Sequence, residues 1–572
     1  MTGAPSTCWG PLVLAEGGVR FRLWAPDRDA VTLEIDGGGP SPMTRTDDDW
    51  FAVDAEAAPG TRYRFRLDAD TAVPDPAARA QSGGVHGWSV VVDPFGYRWR
   101  HDDWVGRPWE TMVVLEVHTG LLGGFAGVAE RLEGWAALGI TAIELMPVGA
   151  FGGTRGWGYD GVLPFAPLER YGTPDELRAL IDHAHGLGVS VFLDVVYNHF
   201  GPDGNYLGAY AAGFFDEEVH TPWGGAVAVD KPPVHRFFAE NALMWLGDYR
   251  IDGLRFDAVH AIGNDGFLDE LATELRAALP GRAVHLVLEN EKNDADRLSP
   301  DRFDAQWNDD FHNVLHVLLT GEAHSYYTDF AEAPADRLAR CLSEGFIYQG
   351  QGSPNHDGKP RGKPSGHLPP TRFVSFLQNH DQVGNRALGE RLTAMVSEDR
   401  LRAATLLLLL APQIPLLFMG EEEGCDAPFL FFTDFHDELA DAVREGRRKE
   451  FAGHPGFDDE GARERIPDPN AHGTFERSRP VTGSRGERWR TFYRDLLAIR
   501  RERIVPGLAD ARSAGAEAIG PAAVVARWRL STGETLTIAI NLGDEPVAFP
   551  NGEPIASVGT SGAPASAAAW LA

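Results

Sequence analysis

Gly253-Leu254-Arg255-Phe256-Asp257-Ala258-Val259-His260 sets a cation and a carboxylate two residues apart where an apolar strand would end. Side chains alternate faces along a strand, so Arg255 and Asp257 point the same way. A guanidinium beside a carboxylate favours the charged form, which suits a nucleophile or a charge stabiliser. Taken alone, the pair is equally well read as a structural ion pair. Two further acids change that balance, each closing another apolar run: Val284 to Leu288 leads into Glu289, and Phe373 to His380 leads into Asp381. Runs of this length, separated by helix-like segments, read as parallel strands buried on both faces. The C-terminal strand ends of such folds face the active site, so three acids converge on one pocket. Converging carboxylates repel, and one is driven to hold a proton while an arginine-paired neighbour stays charged. A single site thereby acquires both an acid and a nucleophile.

Working outward, strand-like runs alternate with helical ones from Met112 onward: Val113 to Val117, Thr141 to Leu145, Val189 to Val196, Gly253 to Asp257, Val284 to Glu289, Phe303 to Trp307, Phe373 to Gln378 and Ile414 to Phe418. That pattern predicts an α/β fold, a closed (β/α)8 TIM barrel over residues 96–503, rather than an open doubly wound sheet. Residues 1–95 alternate apolar and polar with Gly, Pro and Asp turns and read as an N-terminal β-sandwich, similar in kind to a carbohydrate-binding module. Residues 504–572 return to the same periodicity and read as a C-terminal β-sandwich. Two aperiodic stretches, 198–234 and Gln349 to Thr371, are expected over the barrel mouth. A last amphipathic helix is expected around Trp489 to Arg500.

With 572 residues the chain is too long for one core. Its formal charge of -31 argues against nucleic acid or an anionic membrane as partner, since both need a positive footprint. Cys8, Cys341 and Cys425 have neither disulfide nor zinc spacing. Met1 to Ser6 shows no basic region before an apolar core, and Leu406 to Leu410 is far too short to span a bilayer, so a cytoplasmic location is expected.

The third strand ends Leu193-Asp194-Val195-Val196-Tyr197-Asn198-His199. With the motifs at Asp257, Glu289 and Asp381, it resembles the four sequence regions of the α-amylase family of glycoside hydrolases, in order and at the expected strand ends. The likeness covers nearly the whole chain. It implies Asp257 as nucleophile, Glu289 as general acid/base and Asp381 as transition-state stabiliser. It further implies that His199, Arg255 and His380 bond the sugar preceding the scissile linkage and that Tyr159 stacks beneath it. Phe256, Ala258, Val259 and His260, then Asp309, Asp310, Phe311, His312 and Asn313, then Gln382, Val383, Gly384 and Asn385 would complete the substrate groove. A glycosidic oxygen leaves poorly unless protonated, and two carboxyls about 5 Å apart predict retention of configuration.

Trp157-Gly158-Tyr159-Asp160-Gly161-Val162, Tyr326-Tyr327-Thr328-Asp329-Phe330, Met419-Gly420-Glu421-Glu422 and Pro428 to Asp434 look like the trehalose-releasing branch of that family. That likeness implies a malto-oligosyltrehalose substrate, cut at the α-1,4 bond beside its terminal trehalose, and a malto-oligosyltrehalose synthase as metabolic neighbour. A glycogen-branching transferase or general α-amylase shares the acids and is the alternative, and a non-catalytic glucan-binding protein is a third reading that the intact acids oppose. Glu291 lies on the same side of its strand as Glu289, so parity cannot separate them; Glu289 is preferred because it directly follows the apolar run. Glu116 and His118 read as structural strand-end groups, and Trp24, Trp50 and Phe51 as core aromatics rather than a glucan platform. Asn198 and nearby acids offer no dedicated ligand spacing, so neither a metal nor a cofactor is expected.

Overall fold

The computed structural model describes residues 9–221 and 224–572; the Met1 to Ser6 stretch and Cys8 lie outside the described residues. Eight parallel strands close a barrel in chain order: β1 (Val114–Val117), β2 (Ala142–Leu145), β3 (Ser190–Val195), β4 (Gly253–Phe256), β5 (His285–Leu288), β6 (Ala305–Trp307), β7 (Phe373–Ser375) and β8 (Ile414–Phe418). Each falls within its expected run; β8 matches it end to end, and the other seven are trimmed by one to three residues where the chain leaves the ladder. The strands are buried throughout because helices cover their outer face while side chains fill the interior. Trp109, Phe192, Val287, Trp307, Phe376 and Leu416 belong to the apolar plug of that interior.

Before the barrel, two antiparallel sheets pack face to face. Val19, Phe21 and Leu23 of one strand are buried while Arg20 between them is exposed, and the Phe21 ring meets Tyr63 of the opposite sheet at 4.6 Å. Trp24, Trp50 and Phe51 are all buried, as the core reading expects. Trp9 wedges against Trp50 (4.8 Å) and Phe237 (4.9 Å), joining these sheets to the barrel helix Pro232–Leu243.

The stretch after β3 carries an antiparallel hairpin, Phe215–Thr221 with Gly224–Val227. It leans on the N-terminal sheets through Arg28, which donates to the Ala209 carbonyl at 2.6 and 3.0 Å. Beyond the barrel, the helix Gly486–Ile499 precedes a five-stranded antiparallel sheet over Arg512–Leu571. This sheet seats on the barrel helices Pro334–Glu344 and Glu398–Leu410, the latter carrying the buried leucine run.

The connection into the barrel hangs on one buried side chain. Asp182, fully covered on helix Pro174–Gly186, accepts from the backbone N–H groups of Arg100 and His101, from Arg100 Nε and from the Tyr97 hydroxyl. Burial penalises its charge, yet these donors from Arg100 and His101 win and pull its pKa down to about 2. A folded-state pKa below the unfolded one stabilises above the unfolded value near 4, and that contribution is lost as pH falls toward about 2. Asp182→Ala is expected to cost about 2–4 kcal/mol in urea denaturation at pH 7, because several donors lose one fully buried acceptor together. The mutant should also show a smaller stability drop between pH 4 and 2 than the wild type.

Candidate active site

Arg255, at the end of β4 and completely buried, is the hub of the site. Its Nη1 bonds Asp257 Oδ1 at 2.9 Å and pairs with Asp194 from β3, while its Nη2 donates to Glu289 Oε2 at 2.7 Å. The guanidinium lies over the Trp307 ring at 4.1 Å. Ala258 turns the chain with φ +39°, and this brings its N–H to Glu289 Oε2 at 2.8 Å. The amide of Asn198, beyond the end of β3, donates to both Oδ2 and the carbonyl oxygen of Asp257, each at 2.9 Å. Both oxygens of Asp257 are thus held from separate strands, which fixes the carboxylate plane.

Asp381 stands in the first turn of the short helix His380–Gly384, whose cap is Asn379. Asn385 donates to its Oδ1 at 3.2 Å. His380 is held by Glu116 of β1, which accepts from the His380 backbone N–H at 2.9 Å and from the ring Nδ1. Burial alone would lower the His380 pKa, but the carboxylates of Glu116 and Asp381 outweigh it and lift the ring to about 9. Tyr159 stacks on that ring at 4.9 Å and donates its hydroxyl to Asp194 at 2.6 Å. His199 is nearly covered, and burial lowers its pKa to about 4, so it is a neutral imidazole at pH 7. His118 is a structural group: its Nδ1 accepts from Leu121 N, and its Nε2 donates to the Gly156 carbonyl at 2.9 Å.

A raised histidine pKa gives a testable sign. The charged ring is present below about 9 and lost above it, so the His380 to Glu116 interaction stabilises fully below pH 6.5 and fades as pH rises through about 9. Glu116→Gln is expected to bring the alkaline limb of kcat/KM down from near 9 toward the unperturbed value of about 6.5. An unchanged limb would show that this ring does not set it.

Glu289 and Asp381 open into a cleft of about 660 Å³. Of the expected groove residues, His260, Asp309, Asn313, Gln382 and Asn385 line it beside Glu289 and Asp381. Burial, with Glu289 and Asp381 adding their charge, pushes Asp309 up to about 8. Other expected groove residues belong elsewhere. Phe256, Val259, Phe311 and Val383 are buried in the apolar core, because they take the opposite strand or helix face from their polar neighbours. Asp310 is fully buried and accepts from the N–H groups of Ile347 and Tyr348 and from Asn293, so it anchors the 346–363 loop instead. His312 is tied to the Leu377 carbonyl at 2.6 Å and to the Tyr327 hydroxyl. Gly384 lies against the Trp157 ring, where a Cβ would meet ring carbons at 2.1 and 2.2 Å, so it serves packing.

Glu289 and Glu291 separate cleanly in space. Glu289 is mostly covered and bonded to Arg255, whereas Glu291 is half exposed and pairs with His356 at 2.9 Å and His260 at 3.5 Å. Residues outside the expected groove set also line the cleft, among them Glu322, Arg386, Tyr326, His454 and Phe457. Arg386 pairs with Glu322 at 2.8 Å, and Arg447 donates to the Gly384 and Arg386 carbonyls, so a distant helix braces the turn after Asp381. Nothing local marks residues 451–457 as a cleft wall; only their packing brings them there. Glu116, Asp194 and Asn198 had a signal, since each lies within three residues of a barrel strand's C-terminal end.

Acids on neighbouring strand ends of a (β/α)8 barrel, bridged by one buried arginine beneath an open cleft, define a glycoside hydrolase of the α-amylase type. The family model for the α-amylase catalytic domain matches residues 80–212, and a domain of unknown function (DUF3459) matches 511–570. The malto-oligosyltrehalose trehalohydrolase of Deinococcus radiodurans is 43% identical over 87% of this chain and 84% of its own length. That of Saccharolobus solfataricus is 38% identical over 86% of each. A crystal structure from Salmonella typhimurium, provisionally assigned to the α-amylases, has a TM-score of 0.93 at 45% identity, covering 99% of this chain and 100% of that one. The chain belongs to the malto-oligosyltrehalose trehalohydrolase family. Among the described residues, no helix is long and apolar enough to cross a membrane.

Proposed function

We propose that this chain hydrolyses the α-1,4 bond next to the terminal trehalose of malto-oligosyltrehalose, with retention, and releases trehalose. Asp257 is the nucleophile, Glu289 the acid/base and Asp381 the stabiliser of the oxocarbenium-like transition state. The observation that supports these roles best is the shared guanidinium: Arg255 bonds Asp257 through Nη1 and Glu289 through Nη2, holding the two carboxyls on one short bridge. Both donors to Glu289, from Arg255 and from Ala258 N–H, fall on Oε2, which leaves Oε1 to carry the transferable proton. Protonation of the glycosidic oxygen by Oε1 accompanies attack of Asp257 at the anomeric carbon. The same Oε1 then takes a proton from water as water displaces Asp257. Tyr159, His199, Arg255 and His380 hold the sugar at the bond being cut, while His260, Asp309, Asn313, Gln382 and Asn385 act on the cleft side.

We infer a working anatomy of 1–95, 96–503 and 504–572, a cytoplasmic location, and a supply of substrate from a reaction that closes a reducing chain end into trehalose, as a malto-oligosyltrehalose synthase does. The test is parallel incubation with maltotriosyltrehalose and maltopentaose, with products separated by chromatography and the new anomer followed by NMR. Fast trehalose release with the α-anomer formed first, and little cleavage of maltopentaose, is the expected outcome. Equal cleavage of both, or branched products, moves the assignment to a general amylase or a branching transferase.

A further inference from the structure

Beneath the cleft, the barrel interior carries a polar layer only partly used by the proposed chemistry. Glu116 of β1, Glu144 of β2, Asp194 of β3 and Arg255 of β4 take inward positions on four consecutive strands. The register sets Glu116 beside Glu144 and Asp194 beside Arg255. Glu116 is occupied by His380, and Asp194 by Arg255 and Tyr159. Glu144 is different. It is 2% exposed, and its Oε1 has no hydrogen-bond partner. Further unpaired buried atoms belong to the same part of the barrel: Asp194 Oδ1, Arg255 Nε and Trp307 Nε1.

An isolated ionised carboxylate in such a place is strongly disfavoured, and an acid there neutralises instead. Burial pushes Glu144 well above the usual carboxylate range; Asp194 and Glu116 add to the rise, while Arg255 and His380 oppose it. Those four are the charged groups facing it from the neighbouring strands and from the turn after β7. A third anion between Glu116 and Asp194 would compete with both for Arg255 and His380, and a gap would let both carboxylates reorient. A neutral acid of this length does neither.

We propose that Glu144 is a proton-holding positioning residue: kept as an uncharged carboxyl, it spaces Glu116 from Asp194 and thereby keeps His380 and Arg255 aimed at Asp381, Asp257 and Glu289. The inference rests on the roles proposed above for those three acids. Glu144 touches no substrate and acts only through its neighbours.

Glu144→Ala and Glu144→Gln in the full chain test it, assayed for trehalose release from maltotriosyltrehalose across pH. Glu144→Ala is expected to lower kcat about tenfold or more with KM within about twofold, and to shift the alkaline limb. Glu144→Gln, an uncharged side chain of the same length, should restore kcat to within about threefold of wild type and restore the limb. Infrared difference spectra at neutral pH should show the C=O stretch of a protonated buried carboxyl in the wild type and its loss in Glu144→Gln. Wild-type kcat in Glu144→Ala, equal impairment of both variants, or no such band would each overturn the proposal. Should Glu144→Ala fail to fold, the glutamine variant and the infrared band decide. Failure of the underlying functional reading appears separately, as absence of trehalose release by the wild type.

Discussion

Asp257→Asn is expected to slow trehalose release by at least about 10⁴-fold, with the chain still folded and still binding substrate. The amide keeps an acceptor oxygen for Arg255 Nη1, and Asn198 Nδ2 keeps its bond to the Asp257 main-chain carbonyl, so the local geometry is still held from both sides. What the amide lacks is the charge and nucleophilicity needed to trap the anomeric carbon. Loss of the covalent route leaves only the binding and electrostatic contributions of the remaining site. The measurement is steady-state kcat on maltotriosyltrehalose, with substrate binding followed by calorimetry. A variant retaining a tenth of wild-type turnover would remove Asp257 from the nucleophile's role.

Glu289→Gln is expected to lower kcat by about 10³-fold on the natural substrate, and far less on a substrate whose leaving group needs no proton. The reason is specific to the oxygen concerned. A glutamine can present its carbonyl oxygen to Arg255 and Ala258 in place of Oε2, keeping the scaffold, while the other position becomes an amide that cannot deliver the proton. Glu291→Gln, at an exposed side chain bonded to His356, should change kcat by less than about tenfold. Comparing natural and activated substrates for both variants checks the assignment. Normal turnover of Glu289→Gln beside a collapsed Glu291→Gln would exchange the two roles.

Much of the site could be read before any coordinates because its members end strands. Strand periodicity is two, so a cation and an acid two apart share a face, and the C-terminal ends of parallel strands converge. That logic reaches Arg255, Asp257, Glu289 and Asp381. It fails where a motif is taken as a block. In Asp309 to Asn313 only the first and last residues reach the cleft, since helical geometry turns Asp310, Phe311 and His312 toward the barrel and the 346–363 loop. It fails again for Phe256 and Val383, which alternate away from the acids beside them.

From the sequence alone, the alternation of apolar strands with helical segments determined the barrel, and the acids at its strand ends marked the candidate site, because both are local periodicities with one geometric outcome. Tertiary structure decided the rest. It set Glu289 against Arg255 and Glu291 against His356, since parity assigns a side but not the distance to the guanidinium. It recruited Asn198 to Asp257 and Glu116 to His380 across strands far apart in the chain. It brought Tyr326, His454 and Phe457 to one cleft wall, contacts that depend on how whole segments pack and that no window of neighbouring residues encodes.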